Sequence, residues 1–143
     1  HMNISKDFHF YAAHRNQVLD DKCRNLHGHQ YRVRFTMTYQ ESTANSITML
    51  FRDIDERLEP VIESLDHSTL LDTADPAKEA LIESGACDKV VSLPFPTSAE
   101  NLAAYLLIRA REVIPNTSAV ELHETNSTTI TMKQEDLGAW PTK

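Results

Sequence analysis

Alternation of apolar and polar side chains is the strongest signal along the chain. Phe8, Phe10, Ala12 and His14 share one parity, as one face of a half-buried strand would. Residues 15–21 are polar and read as a loop. The next run is longer, with His27, His29, Tyr31, Val33, Phe35, Met37 and Tyr39 alternating against Gln30, Arg32, Arg34, Thr36 and Thr38. A period of two puts both imidazoles at the end of one apolar face. Two strands joined by so short a loop pair most simply as antiparallel neighbours, which brings His14 to the place where His27 and His29 begin.

The period then changes. Ile54, Leu58, Ile62 and Leu65 fall at helical spacing over 51–65, with Pro60 inside the run predicting a kink or break. Residues 69–88 are weakly patterned and read as loop with a short helix, followed by a short strand around 89–93. Thr97-Ser98-Ala99-Glu100 reads as a capping box that opens a second helix, with Leu102, Tyr105, Leu106, Arg109 and Val113 along one side and Pro115 ending it. Strands over 119–124 and 128–133 close the chain, turning at Asn126-Ser127, and Val120, Leu122 and Glu124 share a face. The predicted class is α+β: an antiparallel four-stranded sheet with two helices on one face.

Composition narrows the function classes. With 143 residues and 41% apolar side chains, the chain has material for one folded domain over 3–143, His1-Met2 reading as a tag remnant. A net charge of −7 disfavours a nucleic-acid or anionic-membrane partner. No stretch approaches a membrane span. Two cysteines, Cys23 and Cys87, cannot build a disulfide framework and point to a reducing, cytoplasmic setting. Three glycines, Gly28, Gly85 and Gly138, supply neither a dinucleotide fingerprint nor a P-loop.

The candidate chemistry lies at the strand ends. His27-x-His29 sends two imidazoles the same way, Gly28 between them removes a side chain that could crowd the site, and His14 adds a third nitrogen. Three nitrogen ligands with an open position is the arrangement of a catalytic zinc. Cys23 is either a fourth ligand that closes the site or a free thiol beside it. Asp66-His67, taken alone, read as a helix C-terminal cap. Glu124, in line with core residues, needs a partner, and a guanidine-like or amino-pyrimidine ligand edge would supply paired N–H donors. Arg15, Lys22 and Arg24 are surface charge or contacts to a phosphorylated substrate. His9 and His123 have the solvent-facing parity.

Together FHFYAAHR (8–15), CRNLHGH (23–29), LDH (65–67), PTSAENLA (96–103) and HET (123–125) resemble the 6-pyruvoyltetrahydropterin synthase / 6-carboxytetrahydropterin synthase family. The cysteine three residues before HGH is similar to the bacterial queuosine-pathway branch. The resemblance implies that His14, His27 and His29 hold Zn2+, that Cys23 accepts a proton, and that Asp66 and His67 form a relay. It also implies that Glu124, with Thr125, anchors the pterin. The implied fold is the tunnelling fold, whose subunits join their sheets into a barrel and assemble as a homohexamer with active sites at subunit contacts. The implied substrate is 7,8-dihydroneopterin triphosphate. The implied product is 6-carboxytetrahydropterin in queuosine biosynthesis, with release of triphosphate and acetaldehyde. The alternatives are the pyruvoyl product, by triphosphate elimination only, or a non-catalytic zinc-stabilised module. Two places depart from the pattern. Met49-Leu50-Phe51 stands where relatives carry an aspartate ahead of the first helix, and strand 128–133 lacks the usual aromatic ending, with Trp140 beyond it.

Overall fold

The computed structural model describes residues 1–19, 21–40 and 48–143; Asp20, within the loop predicted over 15–21, lies outside them. Strand β1 (Met2–His14) pairs antiparallel with β2 (His27–Tyr39), as the alternation predicts, with Phe10 opposite Tyr31, Ala12 opposite His29 and His14 opposite His27. Next to β2 lies β5 (Thr117–His123), and beside that β6 (Thr129–Lys133), both antiparallel.

On the other side of β1 the expectation of a four-stranded antiparallel sheet fails. The sheet has six strands in the order β4-β3-β1-β2-β5-β6, because β3 (Ser68–Asp72) and β4 (Val90–Leu93) add to β1 in parallel. Strand β3 carries no alternation because Ser68, Thr69, Leu70 and Leu71 are all buried. An inner parallel strand is covered on both faces, and its sequence loses the period of two.

Helices α1 (Phe51–Glu63) and α3 (Ala99–Val113) pack together over one face of the sheet. Ile54, Leu58, Leu102 and Leu106 join Phe10, Tyr31, Val33 and Phe35 in a single apolar cluster. A third helix, α2 (Ala77–Glu83), buries none of its residues. Helix α1 runs through Pro60 without the predicted break. The ring removes one N–H near the end of the helix, and the Pro60 carbonyl still accepts from Ser64 N at 3.1 Å. The departure at Leu50 does not displace the helix start: the Leu50 carbonyl accepts from Asp53 and Ile54, but no side chain caps the end.

In α3 the cap sits one residue later than predicted. Ser98, not Thr97, accepts from Asn101 N at 3.2 Å. The buried stripe is Leu102, Ala103, Leu106, Leu107 and Ala110, so Arg109 and Val113 lie off it. Buried Asn101 donates to the carbonyls of Pro96 and Thr142 and accepts from Thr142 N, tying the C-terminal segment to the entry of α3. Among the described residues, no helix is long and apolar enough to cross a membrane.

Candidate metal centre

The cross-strand register delivers three imidazoles to one point. His14 ends β1, His27 begins β2, and His29 follows on the same face; the ring centroids lie 4.7 to 5.1 Å apart. Glu124, one residue past β5 and not within it as predicted, completes the group. Its Oε1 lies 3.0 Å from His14 Nε2 and 2.8 Å from His29 Nε2, and those two nitrogens are 3.2 Å apart. One ligand atom from each of His14, His27, His29 and Glu124 falls within 4.8 Å of the others.

Two of the three imidazoles are oriented by backbone carbonyls. His14 Nδ1 donates to the Thr97 carbonyl at 2.8 Å, and His27 Nδ1 donates to the Asn25 carbonyl at 2.7 Å. A carbonyl only accepts, so Nδ1 carries the proton and Nε2 is the atom presented. Displacing Thr97 from the cap position is what makes its carbonyl available to His14. Neither partner is foreshadowed in the sequence, since 83 residues separate His14 from Thr97. Behind this contact, Asp75 accepts from Arg15 Nε and Nη2 at 2.7 and 2.6 Å and from Ala77 N at 2.9 Å, fixing the chain just after His14. That bidentate pair places Arg15 in a structural role.

Electrostatics match the geometry. The hydrogen bond to His14 holds the Glu124 carboxyl below its usual range against an opposing desolvation. Burial lowers the pKa of His29. A divalent ion bound there would take the Nε2 lone pairs, and a nitrogen-rich donor set suits zinc.

Cys23 lies in a short turn, Lys22–Arg24, capped by the Asp21 carboxylate on Cys23 N at 2.8 Å. Its thiol is outside the group of His14, His27, His29 and Glu124. Desolvation first, and then the Asp21 charge, push that thiol up. Gly28 has no crowding to relieve: an added Cβ would meet only the Ala12 carbonyl oxygen, at 3.7 Å.

The Asp66–His67 pair is not with the histidines. Asp66 Oδ1 accepts from Tyr11 N at 2.9 Å, Oδ2 lies 2.9 Å from His67 Nδ1, and the His67 ring is tilted 5.7 Å from the Tyr11 ring. Tyr11 has the parity opposite to Phe10 and Ala12, so the pair occupies the other face of the sheet. His67 adopts a left-handed φ of 55° with its side chain 77% exposed. This is an uncommon conformation for a non-glycine residue. The backbone N–H of Tyr11 is the main cause holding the Asp66 carboxyl low. Thr125 is exposed in the bend after β5. The predicted solvent-facing residues His9 and His123 line an outer-face trough of about 530 Å³ with Asp7, Arg32, Arg34 and Glu121.

Residues 3–135 match the profile of the family described as 6-pyruvoyl tetrahydropterin synthase. A 6-carboxy-5,6,7,8-tetrahydropterin synthase of Haemophilus influenzae is 29% identical over 114 residues, 76% of this chain and 81% of that protein. The Aquifex aeolicus protein of the same name is 32% identical over 121 residues, 71% of this chain and 74% of its own length. The fold is similar to that of a 6-pyruvoyl tetrahydropterin synthase from Caenorhabditis elegans. The TM-score is 0.68 at 19% identity, over 92% of this chain and 94% of that one.

Proposed function

The chain belongs to the 6-pyruvoyl tetrahydropterin synthase family, and from that premise we propose that it is a zinc-dependent 6-carboxy-5,6,7,8-tetrahydropterin synthase. The observation that carries this reading is the convergence of His14 Nε2, His29 Nε2 and Glu124 Oε1 within 2.8 to 3.2 Å of one another. The substrate is 7,8-dihydroneopterin triphosphate, and the products are the 6-carboxy pterin, triphosphate and acetaldehyde, in queuosine biosynthesis. The names of the Haemophilus and Aquifex relatives support the carboxy product. The protein works in the cytoplasm as a single domain over 3–143.

His14, His27 and His29 would hold the zinc, which would supply Lewis-acid polarisation of the C–H and O–H groups of the substrate side chain. Glu124, with Thr125 beside it, accepts the paired N–H donors of the pterin edge. Cys23 takes the proton. Its thiol is held up in the lone chain, so it needs the positive charge of the loaded site to reach the thiolate. Asp66 orients His67 through the 2.9 Å contact, and His67 returns the proton. The pair faces away from its own histidines, so it serves the site of a neighbouring copy. Strands β4 and β6 are the two edges of the sheet, and joining such edges into a hexameric barrel removes them.

The test is incubation of zinc-loaded protein with dihydroneopterin triphosphate, followed by product mass analysis. The carboxy pterin with acetaldehyde is expected. The pyruvoyl compound would move the chain to the branch named by the family and by the nematode structure. Bound zinc with no turnover would leave only a metal-stabilised module.

A further inference from the structure

Tyr31 stands two residues beyond His29 on the same face of β2, directly across from Phe10. Its ring stacks on Phe10 at 4.8 Å, 12° from parallel, and meets the rings of His29 and His14 edge-on at 5.4 and 6.3 Å. The residue is completely buried, and its hydroxyl has no hydrogen-bond partner among the described residues. The other fully buried aromatics of the sheet, Phe10 and Phe35, carry no polar atom. Phenylalanine at 31 would keep the stack without leaving a hydroxyl unpaired, so the chain carries a costly group at the one core aromatic that touches the histidines. Val33 stands opposite Leu122 and Arg32 opposite His123, so the β2–β5 register carried one residue further sets Tyr31 across from Glu124.

Glu124 faces the complementary problem. Its Oε1 now lies 3.0 Å from His14 Nε2 and 2.8 Å from His29 Nε2, its nearest polar neighbours. Once those nitrogens bind a cation they have no proton to donate, and a partly buried carboxylate needs another donor.

We propose that Tyr31 is a positioning residue of the cation site, its hydroxyl donating to the Glu124 carboxylate when His14, His27 and His29 are given over to the metal. The inference rests on the metal reading above and goes beyond it by naming what holds Glu124 in the loaded state. No covalent step is involved.

The experiment compares Tyr31→Phe with the unchanged full chain by three measurements. These are thermal melting with a chelator, zinc affinity by competition with a chromophoric chelator, and the visible spectrum of the cobalt(II)-loaded protein. The expected result is a metal-free Tm equal to or above that of the parent, with zinc Kd weaker by about tenfold or more and an altered cobalt spectrum. A lower metal-free Tm with unchanged zinc affinity would overturn the proposal and make Tyr31 a packing residue. So would identical affinity and spectrum. If the parent itself binds no zinc, the metal reading fails first and this proposal with it, whereas a parent that binds zinc as tightly as the variant sinks the proposal alone.

Discussion

Replacing Asp75 by asparagine tests whether the buried clamp behind His14 behaves as its geometry requires. The carboxylate accepts three hydrogen bonds, two from Arg15 and one from Ala77 N, and its side chain is almost wholly buried while that of Arg15 keeps 25% of its exposure. Asparagine preserves the shape and the contact to Ala77, but it loses the charge and turns an amide N–H2 toward a guanidinium. Breaking a fully buried pair costs about 3–5 kcal/mol. Arg15 can rehydrate, so the loss of one charge-assisted bond, about 2 kcal/mol, is the better figure. In a domain of this size that corresponds to a fall in Tm of about 4–8 °C.

The pH dependence gives a second check on the same variant. Arg15 holds the Asp75 carboxyl below its ordinary value, so the stability it lends is fully present above about pH 4 and is lost as the pH falls through the depressed value. Circular-dichroism melts of parent and variant should therefore converge in acid. A gap that stayed constant from about pH 7 to pH 2, or one below about 0.5 kcal/mol throughout, would refute the assignment of a charged clamp.

Three further outcomes are expected. Leu50→Asp supplies the cap that α1 lacks, and chemical denaturation should show a gain of about 0.5–1 kcal/mol. Cys23→Ala should retain its zinc by elemental analysis while losing turnover by roughly three orders of magnitude or more; loss of the metal would put the thiol back among the ligands. Glu124→Gln should weaken pterin binding in a calorimetric titration more than it lowers metal content, and an unchanged pterin affinity would remove its anchoring role.

Much of the site was legible because strand parity is local. A period of two fixed the face of His14, His27 and His29, and a short loop fixed their pairing, so the cluster could be derived without coordinates. What failed was non-local. Strand β3 is covered on both faces, which erases the alternation that would have revealed it. Thr97 serves His14 from 83 residues away, and the cap pattern around it fits two adjacent registers. The contact of Glu124 with the imidazoles depends on where β5 ends, the least predictable part of any element. The side of the sheet taken by Asp66–His67 follows from the parallel docking of β3 on β1, which no motif encodes.

That last placement has a consequence for how the protein can be broken. A sheet is a wall one backbone thick, and no side chain reaches through it, so each polypeptide presents Asp66–His67 and its clustered imidazoles to different surroundings. If the proposed relay serves a neighbouring copy, two kinds of damaged polypeptide, one without His29 and one without His67, would spoil different halves of a shared reaction centre. Folded together, some junctions would unite the two intact halves, and a mixture of dead proteins would turn over substrate that neither could process alone.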